Sequence, residues 1–253
     1  MGFAALTPTY DDARLLPAME KVIYLLWRPS GLDAGAWAAN LRQSLPDLQE
    51  QPGLRSLQFN VQDEAVEPAS ALRRASSIAP PDALVQIWFD SAIQALRAST
   101  DESLARHASR IAAYLVTESQ PLVNHHRRSR PGVRTEGFAQ LALLKRPARL
   151  TPAQWLDIWQ NRHTRIAIET QSTFEYIQNL VVRALSADAP HYDAFVEECF
   201  PAAAMSDPYV FFDAPGDPEK FQRNLDRMME SVQRFIDMDA LDVLPTSQYR
   251  ISP

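Results

Sequence analysis

A short pattern of leucines, an Arg-Pro pair and a tryptophan occurs twice in this chain of 253 residues. The first copy reads Leu25-Leu26-x-Arg28-Pro29-x-x-Leu32-x-x-x-x-Trp37, and the second reads Leu143-Leu144-x-Arg146-Pro147-x-x-Leu150-x-x-x-x-Trp155. Self-similarity of this kind is typical of a tandem duplication whose copies share one fold. His163 lies eight residues after the tryptophan of the second copy, whereas Leu45 lies eight residues after the tryptophan of the first. We therefore expect the two copies to differ in chemistry.

Composition and charge exclude several classes of protein. The formal net charge of −6 argues against a surface that binds nucleic acid through its phosphates. Cys199 is the single cysteine, so neither an intrachain disulfide nor a cysteine-rich metal cluster can form, and we expect a cytoplasmic protein. No segment is apolar over the length that a bilayer requires, so no membrane partner is expected. We interpret the basic run 125–130 between the copies as a solvated linker.

The first copy shows strand and helix signals in the order βαββαβ. Residues 21–27, 54–62, 83–89 and 114–120 are rich in β-branched and aromatic residues or alternate apolar with polar ones, which predicts four strands. Asp33 fits a helix N-cap, and apolar residues recur at helical spacing from Trp37 until Pro52-Gly53 ends the segment. Residues 91–113 are expected to contain the second helical region.

The second copy repeats this order with stronger local signals. Thr151, Pro152 and Gln154 fit the N-cap, the first-turn proline and the return partner of a capping box. Strands are predicted at 138–145, 174–183, 195–200 and within 241–251, and the last helix at about 219–237. A proline-rich insertion at 201–218 has no counterpart in the first copy. The resulting domains are an N-terminal extension (1–20), a first repeat (21–121), a linker (122–137) and a second repeat (138–253).

The order βαββαβ predicts an α+β fold made of two ferredoxin-like units. Each unit is a four-stranded antiparallel sheet with both helices on one face, and its other face is left open. Two such sheets can pack open face to open face and close a barrel-like space between them. We therefore expect an intramolecular α+β barrel whose interior is a natural place for a ligand.

Alternation along the strands predicts which residues face that interior. The side that carries Ile23, Leu25, Leu141 and Leu143 is apolar, and we interpret it as the side packed against the helices. The other side would form an apolar, partly aromatic pocket from Tyr24, Trp88, Gln140, Tyr176, Gln178 and Glu197. The alternative is that these residues line a sheet interface and have no function.

Two side chains are candidates for proton transfer. A carboxyl group enclosed by apolar neighbours has a raised pKa, which would bring Glu197 into the range of a general acid or base. His163 lies with Trp155 and Trp159 on one stripe of a predicted helix, and imidazole titrates near neutral pH. The alternative for His163 is a packed, hydrogen-bonded core residue.

The segment 150–163 and the following Tyr176-Ile177-Gln178-Asn179 resemble the EthD family of dimeric α+β barrel proteins. In that family an apolar-aromatic helix leads to a tryptophan, a histidine four residues later and a Tyr-x-Gln-Asn strand. Trp159, His163, Tyr176, Gln178 and Asn179 match this pattern, whereas the first copy departs from it at Leu41 and Leu45. The resemblance implies that two halves of one chain form the family's usual two-subunit barrel. This internal pseudo-dimer removes the usual reason to form a homodimer without forbidding one.

The resemblance also implies a small hydrophobic or aromatic ligand, because family members are associated with oxidative degradation of ethers and with aromatic metabolism. The leading hypothesis is a cofactor-free enzyme of oxidoreductase or dehydratase type, with His163 as general acid or base and Glu197 or Tyr176 as a second catalytic group. Tyr24, Trp88, Gln140, Trp159, Gln178 and Asn179 would bind the substrate. Two alternatives remain: a metabolite-binding or accessory protein for an oxygenase, and a haem protein with His163 as the axial ligand. No metal site is expected.

Overall fold

The protein forms one closed barrel in a computed structural model that describes residues 19–76 and 79–252. Most of the N-terminal extension lies outside the described residues. The strands are β1 (Glu20–Trp27), β2 (Leu54–Val61), β3 (Ala83–Phe89), β4 (Arg110–Leu122), β5 (Phe138–Leu144), β6 (Glu175–Ala184), β7 (Ala194–Phe200) and β8 (Asp242–Arg250). All neighbours pair antiparallel in the order β1-β3-β2-β8-β5-β7-β6-β4. The predicted α+β barrel of two ferredoxin-like units is confirmed.

The helices that follow Asp33 and Thr151 begin where the sequence places their caps. In the first repeat they are α1 (Ala34–Ser44) and α2 (Gln94–Ala105); in the second they are α3 (Pro152–Leu156), a π-helical segment (Asp157–His163), α4 (Thr164–Thr170), α5 (Pro208–Phe211) and α6 (Pro218–Gln233). Asp33 accepts a hydrogen bond from the backbone of Ala36, and Thr151 and Gln154 form the predicted capping box. Within the described ranges, no helix is both long and apolar enough to cross a membrane.

The two repeats join through the edges of their sheets. Strand β2 pairs with β8, and β4 pairs with β6, so each repeat covers both edges of the other. Strand β4 begins before residue 114 and extends to Leu122, into the predicted linker, because it pairs with β1 near its start and with β6 along most of its length. Closure of this kind leaves none of the described strands with a free edge that could pair with another chain.

The assignment of the two faces of β1 and β5 was wrong. Ile23, Leu25, Leu141 and Leu143 belong to the apolar cluster inside the barrel, where they meet Phe195 of the second repeat. Tyr24 and Gln140 therefore point outwards, towards the helices. Both faces of these strands are buried, so an apolar stripe alone cannot show which face meets the helices.

The proline-rich insertion links the second repeat to the first. It contains a 3-10 turn (Ala202–Met205) and α5, and its Met205 and Phe211 join an apolar cluster with Val66 and Ala69 of the first repeat. Two hydrogen bonds fix the backbone of the insertion. The backbone N–H of Ser172 donates to the carbonyl of Phe211 at 3.0 Å, and the side-chain amide of Asn224 donates to the carbonyl of Phe212 at 2.7 Å. The insertion is therefore a fixed part of the core around α6.

Replacement of Gly137 by alanine should strongly destabilise the protein. Gly137 precedes β5 with φ +97°, and a Cβ there would lie 2.0 Å from the carbonyl oxygen of Phe200. Gly132 is the matched control, because it also has a positive φ (+74°), but within the described ranges nothing lies within 4 Å of the place that its Cβ would take. We expect Gly132→Ala to cost about 1–2 kcal/mol of unfolding free energy and Gly137→Ala clearly more, as measured by urea denaturation. Equal losses would contradict the close contact at Phe200.

Candidate functional site

A cavity of about 200 Å³ lies in the second repeat, between the outer face of the sheet and the helices that cover it. Strands β5, β6, β7 and β8 form its floor, and the π-helical segment, the insertion and α6 form its walls. Its lining comprises Gln140, Ala142, Leu144, Trp159, His163, Gln171, Tyr176, Val196, Glu198, Phe211, Phe212, Met228, Met229, Val232, Phe235, Ile236, Met238, Leu241 and Val243. Aromatic rings, methionines and aliphatic side chains predominate, as in sites for small apolar ligands.

The π-helical segment brings Trp159 and His163 to the cavity. The capping box at Thr151 sets the start of the helix, and the backbone N–H of Thr164 then bonds to the carbonyl of Trp159, five residues earlier. The Thr164 hydroxyl donates to the same carbonyl at 2.9 Å. Segments of π-helix are uncommon and occur frequently at functional sites.

His163 is a buried, uncharged imidazole. Its Nδ1 lies 2.9 Å from the hydroxyl oxygen of Ser231 on α6, and its ring centroid lies 4.5 Å from that of Phe235. Burial lowers the pKa of His163 to about 4, because charging the ring in an apolar environment is unfavourable. The ring is therefore neutral at pH 7. Ser231 engages Nδ1, and Nε2 has no hydrogen bond among the described residues.

A row of polar side chains crosses the floor of the cavity. The strand register places Gln140 of β5 and Tyr176 of β6 on either side of Glu198 of β7. Neighbours at such positions lie about 4.5–5.5 Å apart at Cα. The row supplies one amide, one carboxyl and one phenol to an otherwise apolar cavity.

Glu198 is the chemically unusual member of this row. Its side chain is buried, and its Oε1 has no hydrogen-bond partner among the described residues. Burial raises the pKa of Glu198 to about 8, so the carboxyl group is mostly protonated at pH 7. Burial likewise raises the pKa of Tyr176, with the charge of Glu198 as a smaller cause. Glu198 is not among the site residues that the sequence predicts, although a glutamate on a strand face assigned to the core is an unusual feature.

Four of the predicted site residues line this cavity: Gln140, Trp159, His163 and Tyr176. Two others from the same motif do not. The side-chain amide of Gln178 donates to the Thr164 hydroxyl at 2.6 Å, so it supports the helix from below. Asn179 lies on the opposite face of β6 and donates to the carbonyl of Phe195 at 3.3 Å.

The other predicted site residues lie away from the cavity. The prediction that all of these residues form one site is therefore wrong. Tyr24 faces the helices of the first repeat and donates its hydroxyl proton to Asp101 of α2 at 2.8 Å. Trp88 lies at one end of the barrel interior, where the buried ammonium of Lys21 sits 4.4 Å from its ring centroid. Neither side chain can reach a ligand beside His163.

Glu197 does point into the barrel, but its surroundings are polar and not apolar as expected. Its carboxyl oxygens accept hydrogen bonds from four side-chain amides, at 2.7–3.0 Å, and these belong to Gln58, Asn60, Gln86 and Gln248. A carboxylate satisfied in this way is a structural centre of the barrel. Glu197 lies on the face of β7 that is turned into the barrel, whereas His163 lies above the other face. A shared role for the two in one site is therefore not supported.

The corresponding space in the first repeat is occupied by protein. Trp37, Leu41 and Leu45 from α1 and the following turn pack against Tyr24 and Val85 of the sheet. The indole N–H of Trp37 donates to the carbonyl of His107 at 2.6 Å, which holds the ring in place. The cavity with the histidine therefore belongs to the second repeat.

The comparison with protein families also distinguishes the second repeat from the first. Residues 147–239 match the family model described as the EthD domain. No curated protein matches the chain. Among solved structures, an "anthrone oxidase-like protein" superposes with a TM-score of 0.55 at 8% sequence identity, covering 93% of this chain and 94% of that one. A "putative monooxygenase" from Lactobacillus acidophilus NCFM gives a TM-score of 0.41 at 10% identity, covering 92% and 94%.

The first of these structures shows a shared fold across nearly the whole chain, and the family match falls on the repeat that holds the cavity. The match spans α3, the π-helical segment, β6, β7 and α6, which together supply most of the cavity wall. The second repeat is therefore the part of this chain that is similar to the EthD domain, and the first repeat lies outside the match.

Proposed function

We propose that this chain is a small-molecule enzyme of oxidoreductase type that binds a hydrophobic or aromatic metabolite in the cavity of the second repeat. The observation that carries the proposal is the position of His163, a neutral imidazole on the wall of an apolar cavity whose floor bears Glu198 and Tyr176. The EthD match and the fold shared with the anthrone oxidase-like protein support the same class of chemistry.

His163 serves as a general base. A neutral imidazole with Nε2 free accepts a proton from a C–H bond beside a carbonyl group, and Ser231 holds the ring in one orientation through Nδ1. The electron pair of the C–H bond then moves towards the carbonyl oxygen and gives an enol or enolate. Trp159 and Phe235 supply ring surfaces that exclude water from this step.

Two reactions can start from that proton transfer. In oxidation, the electron-rich intermediate reacts with dioxygen, and the net change converts a CH₂ group and O₂ into a carbonyl group and water. In dehydration, the intermediate loses a hydroxyl group from the neighbouring carbon, and water leaves as a double bond forms. The first reaction consumes oxygen and the second does not, so an oxygen electrode distinguishes them.

Haem does not suit this cavity. A volume of about 200 Å³ is below the roughly 300–1,000 Å³ of sites that hold drug-sized ligands, and a porphyrin is larger than such ligands. His163 has the free nitrogen that an axial ligand needs, but its ring packs directly against Phe235. The lining and the volume of this cavity therefore do not fit haem.

A binding protein without catalysis is the second candidate, and one observation favours it. A histidine with a pKa of about 4 is a weaker base than an exposed one, and its contact with Ser231 is typical of a packed core residue. Calorimetry with an aromatic ligand that is bound but recovered unchanged would support this candidate over the enzyme.

Replacement of His163 by glutamine should abolish most of the activity. With anthrone as the first probe and oxygen uptake as the readout, we expect kcat to fall by about a hundred- to ten-thousandfold with little change in KM. His191→Gln is the matched control, because His191 is an exposed histidine of the same repeat and does not line the cavity. Full turnover by the His163→Gln variant on any substrate of the wild-type protein would refute the catalytic role.

The ring of His163 should stay neutral far below the usual pKa of histidine. The ring signal in proton NMR, assigned by its loss in His163→Gln, is expected to be constant from pH 8 to pH 5.5, because the pKa is lowered to about 4. A lowered pKa also means that protonation favours unfolding, so this group reduces stability as the pH falls below about 6.5. A titration midpoint near 6.5 in the folded protein would show that water reaches the ring freely.

A further inference from the structure

Glu198 suggests what kind of ligand the cavity takes. We propose that Glu198 binds the ligand as an uncharged hydrogen-bond donor to a carbonyl oxygen, which makes the site selective for neutral ketones and quinones over carboxylates. The inference deepens the proposed function, since it rests on the same cavity being the ligand site.

The position of Glu198 supports this role. It lies at the centre of the polar row on the cavity floor, between Gln140 and Tyr176, and below the wall that carries His163. Its Oε1 is buried and has no partner in the part of the chain that the structure describes, so the carboxyl group still has hydrogen-bonding capacity to offer. Buried polar atoms of this kind are rare, and a ligand is one way to satisfy them.

The charges around Glu198 are as important as its position. Among the residues that line the cavity in the described part of the chain, the other titratable groups are His163 on the π-helical segment and Tyr176 on β6. The faces contributed by β5, β8, α6 and the insertion carry amide, aliphatic, aromatic and methionine side chains. No described lysine or arginine lines the cavity, so no cation there would compensate the charge of a buried carboxylate.

Two other buried carboxyl groups in the same barrel differ from Glu198 in their hydrogen bonding. Glu197 accepts hydrogen bonds from four amides, and Glu175 pairs with Arg250 and accepts hydrogen bonds from Gln120 and Gln248. Each has the donors that a carboxylate needs. The Oε1 of Glu198 has no such donor among the described residues, so the neutral acid form is the one that fits.

A neutral acid at this place also suits the proposed chemistry. When His163 removes a proton from carbon, negative charge develops on the carbonyl oxygen, and a preorganised O–H donor stabilises that charge. Carboxylic acids that are kept neutral by an apolar site are known to act as such donors. An anionic ligand would instead place its charge in a cavity that supplies no cation.

The test compares two ligands of similar shape by calorimetry. 1-Tetralone is a neutral bicyclic ketone, and 1-naphthoate is a bicyclic carboxylate. At pH 7 we expect 1-tetralone to bind at least about tenfold more tightly, since the carboxylate loses its hydration without gaining a cation. Equal or tighter binding of 1-naphthoate would overturn the proposal.

The pH dependence of the Kd for 1-tetralone identifies the residue that donates the hydrogen bond to the ligand. With a pKa of about 8 for Glu198, the Kd of the wild-type protein for 1-tetralone should rise about 30-fold between pH 7 and pH 9.5, because the acid form becomes scarce. Glu198→Gln keeps a neutral donor of the same shape, so its Kd should be the same at both pH values. Tyr176→Phe is the control, and it should retain the rise. A rise that persists in Glu198→Gln would assign the effect to another group.

A measurement without ligand separates failure of this inference from failure of the proposed function. Infrared spectra of the wild-type protein minus Glu198→Gln should show a carboxylic acid C=O band at pH 7 that is lost by pH 9.5. If the band is absent, Glu198 is ionised and the inference is wrong, whatever His163 does. If the band is present but 1-tetralone does not bind, the ligand class is wrong, and the oxygen-uptake comparison of His163→Gln with the wild-type protein still decides the proposed function.

Discussion

Hydrogen bonding between the sheet edges of the two repeats is the constraint on which the rest of this structure depends. A single four-stranded unit would leave two edges and one apolar face exposed. Pairing of β2 with β8 and of β4 with β6 satisfies all four edges within one chain and encloses both open faces at once. The enclosed space is then occupied by leucines and aromatic rings at one level and by the amides around Glu197 at another. The cavity that His163 lines lies outside the barrel, between the sheet and the helices.

Two adjacent glutamates show how the two faces of one strand differ. Glu197 enters the barrel and accepts hydrogen bonds from four side-chain amides. Glu198 faces the helices between Gln140 and Tyr176 in a largely apolar cavity, and its Oε1 has no hydrogen-bond partner among the described residues. Desolvation by burial raises the pKa of Glu198 to about 8. The same residue type thus stabilises the barrel at one position and provides a chemically distinct group at the next.

The two repeats differ in the region between helix and sheet, which is filled in the first repeat and contains a cavity in the second. In the first repeat Trp37, Leu41 and Leu45 fill the region between helix and sheet. In the second, the π-helical segment places Trp159 and His163 at the edge of that region, and Phe211 of the insertion closes one side. Because the insertion also packs on Val66 and Ala69, the first repeat supports the cavity without contributing to its lining.

The sequence by itself determined the order of the elements, the helix starts at Asp33 and Thr151, the two-unit barrel and the repeat that carries the histidine. These features depend on local capping, on periodicity and on the repeated motif, which can be read without knowing distant contacts. Which face of each strand meets the helices was decided only by the tertiary structure. Closure buries both faces, and a period of two does not distinguish two buried sides, so Tyr24 and Glu197 were assigned to a shared site with His163 and Glu198 was not.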